Sequence, residues 1–544
     1  MGTPTLSIRK KIHPASLVVL LLLCPAFAMP QSPQAESYRL SLSPQKEYQT
    51  IVGFGASDAW RCEYVGKNWP LAKKEAIADL LFSKDATSAG APKGIGLSIW
   101  RFYIGSGSAE QEEKSGIADV DRRAQCFQNA DGSYDWSKQA GQQWFLQAAK
   151  KRNVEKMLAF TIAPPVHISA NQKAYPSPKD SQMNILPGKM AAYAKFLVDV
   201  LAYFNRQGIP FDYISPVNEP QWDWSKGTQE GAGASNQEIY ELTRELSKEL
   251  VAQHLSTRIV VGEAGQLQHL YQGKGKAENQ LAAFWAQGSP VSIRDIPQVE
   301  KVISGHSYFT TWPFDKLISV RKRLAEHLSA TPAAPSFWQT EFCILEHGIN
   351  DHGIHAGRKR DTGINTALYY ARVIHADLVE ANAASWQFWT ALTDADFKDG
   401  LIYLDRGVDD SGRILLNRDR LHEDGFFRAS KTLWALGNFS RFIRPGMKRI
   451  EASYTLPTQT AVADSNFLVS AYKDDKNKLV IVAINYAETE RTLQLPAQEF
   501  TFPDSQGFEI YTTSSKESLS KSNKRSHTLT IEPRSVVTIV GCLK

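Results

Sequence analysis

The roles open to this 544-residue sequence are narrowed first by what it lacks. After residue 28 no apolar run is long enough to span a bilayer, so no membrane-crossing segment is expected in the mature chain. Cysteine is scarce, five in all, and none of the five falls in a CxxC or other zinc-binding spacing. An excess of one charge is also missing: 62 Lys and Arg face 57 Asp and Glu, a formal net charge of +5. Arg9, Lys10 and Lys11 lie in a leader without acids. The remainder is close to neutral, which gives no reason to expect nucleic acid or anionic lipid as a partner. Gly53-x-Gly55 and Gly94-x-Gly96 each lack the third glycine and helix start of a dinucleotide fingerprint. Internal repeats and disordered linkers of consequence are absent too.

What is present starts with an export signal. Basic Arg9-Lys10-Lys11 precedes the apolar run Leu17 to Leu23, and Ala26-Phe27-Ala28 supplies a small-x-small cleavage site. Cleavage after Ala28 into a secreted or periplasmic, soluble protein is the expectation. A lipoprotein held through Cys24 is the lesser reading, because Leu23 is bulky where a small residue is usual. Cleavage leaves Cys62, Cys126, Cys343 and Cys542, and both a Cys62–Cys126 disulfide and four free thiols stay open.

Hydrophobic content of 42% and charged content of 22% are ordinary for a globular protein, and the length calls for at least two domains. Between residues 50 and 440, short apolar strands alternate with amphipathic helices. Strands begin near Thr50, Ile95, Lys156, Phe211, Arg258, Lys301, Pro335 and Ala383. Helices are predicted over 71–82, 137–152, 188–206, 236–253, 278–287, 315–329, 363–380 and 429–439. In the third of these, Met190, Tyr193, Ala194, Leu197, Leu201 and Phe204 form one stripe, which Gly208 and Pro210 bring to an end. Eight strands, each followed by a helix, point to an α/β fold closed as a (β/α)8 TIM barrel; an open doubly wound sheet is the competitor. From residue 441 to 544 short, partly alternating strands predict an all-β sandwich, which residues 36–49 would complete. The Lys/Ser-rich stretch 514–526 reads as a solvated loop.

Two carboxylates stand in matching settings. Asn218-Glu219-Pro220 ends the fourth strand and Thr340-Glu341-Phe342 the seventh. A barrel places active groups at the C-terminal ends of its strands, so these two acids face one another over its mouth. Retaining glycoside hydrolysis needs such a pair, about 5–5.5 Å apart, one as acid/base and one as nucleophile. The bland alternative is that each Glu only caps or solvates its strand end.

The segments GFGASDAW (53–60), SPVNEPQW (215–222), GHSY (305–308), WQTEFC (338–343) and WQFW (386–389) resemble clan A glycoside hydrolases. The resemblance is closest to family 30, and within it to the endo-β-1,6-galactanase branch. It implies Glu219 as acid/base and Glu341 as nucleophile, with no cofactor and no metal. Arg101 and Tyr308 are suited to hold Glu341 ionised, and Asn218 to bond the sugar 2-hydroxyl. Trp389 is where the family would place a floor for the sugar, while Trp60, Trp222 and Trp224 are further platforms or core residues. Asp58 either binds sugar hydroxyls or caps the following segment, and His306 either contacts substrate or orients Tyr308. In one respect the chain departs from the family. Ile162 and His167 stand in the third-strand turn where polar and aromatic residues are usual, which puts the substrate in doubt.

The expected substrate is a β-1,6-linked galactan such as arabinogalactan side chains; β-1,6-glucan, β-xylan, and short β-glucosides or β-fucosides are the rivals. A non-catalytic carbohydrate-binding protein is the reading from another class, but it would have no need of a nucleophile. His347, His352 and His355 follow Glu341 in a Gly/Asp-rich loop whose spacing is not that of a helix-borne zinc motif, so a pocket rim is the expected role.

Overall fold

A computed structural model describes Gly2 and residues 36–176, 182–418, 420–455 and 466–544. The export signal expected in residues 9–28 lies outside the described residues. Eight parallel strands close into a barrel: β1 (Gly53–Ser57), β2 (Ile99–Tyr103), β3 (Lys156–Phe160), β4 (Tyr213–Ser215), β5 (Arg258–Ala264), β6 (Val299–His306), β7 (Ser336–Glu341) and β8 (Ala383–Phe388). Closure is made by β8 pairing with β1, Ser385 opposite Gly53 and Phe388 opposite Ala56. Every residue of β1, β2 and β8 is buried, as strands covered on both faces must be.

The helices between the strands follow from their apolar stripes. In Met190–Arg206, Tyr193, Ala194, Leu197, Leu201 and Phe204 are buried, and Gly208 leaves the helix at φ +77°. Asn236–Ala252 starts on a capping box, in which the Ser235 side chain takes the Glu238 amide and the Glu238 carboxylate takes the Ser235 amide.

The C-terminal part is a ten-stranded sheet wound about its own core, and the N-terminal strand Glu36–Thr50 runs within it. That strand lies antiparallel to Lys448–Thr455 and parallel to Arg491–Gln494. Lys478–Asn485 shows why its sequence is apolar at nearly every position. Leu479, Ile481 and Ala483 enter the sheet's core, while Val480, Val482 and Ile484 join the core that fills the barrel and its helices. Helix Lys431–Ser440 ties the same joint: Asn438 Nδ2 donates to the Tyr511 carbonyl at 2.9 Å and to Thr538 Oγ1 at 3.0 Å.

Several segments differ from the sequence reading, among them helix Cys62–Asn68 and a small sheet of Leu392–Thr393, Ile402–Asp405 and Phe426–Ala429 after β8. Stretch 514–526 is no plain loop, because Ser520–Lys524 pairs with Phe508–Thr513 as an edge strand. The segment after Glu341 forms a hairpin, His347–Asp351 with Ile354–Ala356. His347, His352 and His355 are exposed on it; His352 lies 3.3 Å from Glu488, and His355 Nδ1 meets the Ile349 carbonyl at 3.3 Å. Cys62, Cys126, Cys343 and Cys542 are all free thiols.

Candidate functional site

The barrel brings the two carboxylates together. Glu341 is the last residue of β7, and Glu219 follows β4 by four positions. An oxygen of each lies within 4.8 Å of the other, the short separation that suits retention rather than inversion. Glu219 is fixed at its backbone, where its amide donates to the Glu263 carbonyl at 2.9 Å and its φ is +43°. Glu263, at the end of β5, has a φ of +47°. Non-glycine residues enter this left-handed region at a cost of about 1–2 kcal/mol, which the surrounding barrel must offset.

Each oxygen of Glu341 has its own donor. Arg101, wholly buried on β2, gives Nη1 to Oε2 at 2.6 Å, and Tyr308 gives its hydroxyl to Oε1 at 2.9 Å. Arg101 also donates to Ser57 Oγ at 2.9 Å and reaches Glu263 Oε2 at 3.2 Å, with its guanidinium 3.7 Å from the centre of the Phe160 ring. Burial pushes the Tyr308 phenol well above its ordinary range, so it stays a donor.

His306, at the end of β6, touches both the acid/base candidate and a third acid. Nδ1 lies 2.9 Å from Glu219 Oε1 and 3.8 Å from Glu341 Oε1, while Nε2 lies 3.0 Å from Glu263 Oε2. Burial would lower its pKa, but the charge of Glu341 and the bonds to Glu219 and Glu263 raise it to about 10. Burial likewise opposes ionisation of Glu263, yet the His306 bond and the Arg101 charge hold it at about 2. Glu219 is raised, chiefly by burial and further by the charge of Glu341, against the pull of His306. Glu219, His306 and Glu341 bring one atom each close enough together to share a metal ion. With a carboxylate bonded at each ring nitrogen, His306 is placed to share protons with Glu219 and Glu263.

A cavity of about 400 Å³ opens over the pair. Trp60 and Trp389 line it edge to face, ring centres 5.1 Å apart at 88°. Trp224 lines it too and donates its indole N–H to the Glu219 carbonyl at 3.2 Å; a side chain at Gly231 would meet the Trp224 ring at 2.4 Å. Asn218 borders the cavity with an unpartnered Oδ1. Ile162 also forms part of the wall, whereas His167 bonds Gln128 at 2.9 Å instead.

Two residues assigned from sequence sit elsewhere. Asp58 is wholly buried and does not line the cavity; its Oδ1 accepts from the Tyr103 amide at 2.8 Å and Gln142 Nε2 at 3.0 Å, tying β2 to the next helix. Burial off the cavity lining keeps it from sugar hydroxyls and pushes its acid well up. Trp222 is not a platform in the cavity. Its indole packs across Phe309, with centres 5.8 Å apart, beside Gly265 (where a Cβ would meet the ring at 2.3 Å), and bonds towards Glu219. His306 does not line the cavity; its ring packs edge to face against Tyr308, centres 5.7 Å apart, and bonds Glu219 and Glu263, which fits the orienting role rather than substrate contact.

The sequence reading also missed residues. Glu263 lies outside the motifs, and its signal in the sequence is an acid at the C-terminal end of a barrel strand, RIVVGEA. Glu230 escaped as well. It accepts from the Ser106 amide at 3.0 Å, the Ser108 hydroxyl at 2.6 Å and the Tyr103 hydroxyl, and so orders the loop after β2.

Known proteins share this fold. A conserved exported protein from Bacteroides fragilis is 32% identical, with a TM-score of 0.83 over 93% of this chain and 100% of that one. The catalytic domain of a family 30 xylanase C from Talaromyces cellulolyticus, 21% identical, shares the fold with a TM-score of 0.63 over 92% of this chain and 99% of that one. Glucuronoxylanase XynC from Bacillus subtilis (strain 168) is 26% identical over 303 residues, 55% of this chain and 54% of that protein, so the chain spans about half the length of that curated relative. The sequence model of O-glycosyl hydrolase family 30 matches residues 37–403, two thirds of the chain, and with the barrel, its partner sheet and the paired glutamates this chain belongs to that family.

Proposed function

We propose that this protein is an exported, retaining glycoside hydrolase that cleaves β-1,6-linked galactan by double displacement. Glu341 attacks the anomeric carbon, and the bond to the leaving oxygen breaks as Glu219 gives that oxygen its proton. The glycosyl-Glu341 ester is then hydrolysed by a water whose proton returns to Glu219, which restores both groups. The observation that carries this reading is the approach of the two carboxylates to within 4.8 Å, with Arg101 and Tyr308 committed to Glu341 and His306 to Glu219. Asn218 supports it with a free carbonyl oxygen at the cavity wall, and Trp60 and Trp389 offer apolar faces for a sugar ring.

Support for galactan comes from the GFGASDAW opening. Xylan is the second reading, favoured by the curated relative named a glucuronoxylanase. A panel of β-1,6-galactan, β-1,6-glucan and glucuronoxylan separates them: galacto-oligosaccharides are expected, and activity confined to xylan would remove the galactan assignment while leaving the mechanism. Export with cleavage after Ala28 is tested by the N-terminal sequence of the mature protein recovered outside the cytoplasm; a retained leader would contradict it.

A further inference from the structure

One buried acid at the barrel mouth has no part in the reaction just proposed. Glu263 is wholly buried behind the cavity wall, so it cannot touch substrate. Its Oε2 is shared between Arg101 Nη2 at 3.2 Å and His306 Nε2 at 3.0 Å. The groups facing His306 are Glu219 beyond β4, Glu263 from β5, Tyr308 beyond its own strand β6 and Glu341 from β7. Arg101 from β2 stands behind two of these acids.

We propose that Glu263 is a positioning residue for the acid/base: a fixed anion, bonded to His306, that keeps the His306–Glu219 pair fully protonated at the upper end of the working pH range. This rests on the acid/base role of Glu219 proposed above. The argument is a count of charges. A nucleophilic Glu341 is a carboxylate, Glu263 is a second, and Arg101 is a cation. When His306 carries both ring protons and Glu219 its carboxyl proton, the five groups sum to zero. Losing one proton leaves the cluster at −1, whichever of the two gives it up. Without the anion at 263 that fully protonated state would be a buried +1, and its first proton would leave at lower pH. The low pKa of Glu263, about 2, and the high one of His306, about 10, agree with this order.

The test combines a pH–rate profile with a measurement that needs no turnover. On the polysaccharide cleaved in the panel above, the basic limb of kcat/KM should move down by about one pH unit or more in Glu263→Gln, and return towards the wild-type position in Glu263→Asp. In 15N-histidine-labelled protein, with the His306 signals assigned by their loss in His306→Gln, wild-type His306 should carry both ring protons through pH 8. In Glu263→Gln it should titrate at lower pH. A neutral wild-type His306 at pH 7 overturns the proposal without any variant at position 263. So does a folded Glu263→Gln protein whose basic limb stays in place, whether or not its His306 signals move. The acid/base reading of Glu219 fails separately, through a Glu219→Gln variant that keeps the wild-type basic limb.

Discussion

Glu219 must hold a proton as the glycosidic oxygen departs and release it afterwards, and its neighbours pull both ways. Burial and the Glu341 charge raise its pKa, while His306 lowers it. The pH–rate profile is therefore expected to be bell-shaped, its basic limb set by Glu219 and His306 together. Glu219→Gln should cost about 10²–10⁴ in kcat on a polysaccharide and far less on an aryl glycoside whose leaving group needs no proton. Equal losses on both substrates would show that the acid was misassigned. Tyr308→Phe removes one of the two donors to Glu341, a hydrogen bond to a charged group worth about 1.5–3 kcal/mol, so kcat/KM should fall about 10- to 100-fold. An unchanged rate would detach Tyr308 from the nucleophile. The same cluster links pH to stability. Glu263, lowered from 4.5 to about 2, contributes stability present above pH 4.5 and lost as pH falls towards 2. His306, raised from 6.5 to about 10, contributes stability present below pH 6.5 and lost as pH rises through 10. Thermal midpoints measured from pH 6 down to pH 3 should thus fall less steeply in Glu263→Gln than in wild type; parallel slopes would contradict the assignment.

Among the elements, Lys478–Asn485 is buried on both faces, one towards its own sheet and one towards the barrel's helices. Ile481→Ala and Ile484→Ala open cavities on opposite faces, and each should cost about 2–5 kcal/mol in urea unfolding. A strand with one wet face would make one of the two nearly silent. Elements that the sequence hid were short or polar. Ser520–Lys524 carries no apolar alternation because, at the end of the sheet's strand order, it needs only one partner, and polar residues suit such an edge. Hairpin strands of five and three residues around Gly348 and Gly353 give too little pattern to read. The eight barrel strands were legible because each is an apolar run followed by a striped helix. That pattern is a direct consequence of burial on both faces.

For the molecule as a whole, Val480, Val482, Ile484 and Val536 place residues of the β-sheet in the barrel's core, so the two parts share one apolar interior. Calorimetry should accordingly show a single cooperative transition for the barrel and sheet together, and two separated transitions would mean the shared core contributes little. The sequence by itself determined the barrel, the strand ends on which Glu219 and Glu341 sit, and the pairing of those acids. Strand order follows from period and burial, and the barrel then dictates which ends converge. Only the tertiary structure decided what each side chain meets there. Asp58 and Trp222 lie within motif segments yet do not line the cavity, while Glu263 lies outside every motif and closes the charge cluster. The physical reason is that chain neighbours leave a strand end in different directions. Contact between β2, β5, β6 and β7 across the barrel mouth exists only once the ring has closed.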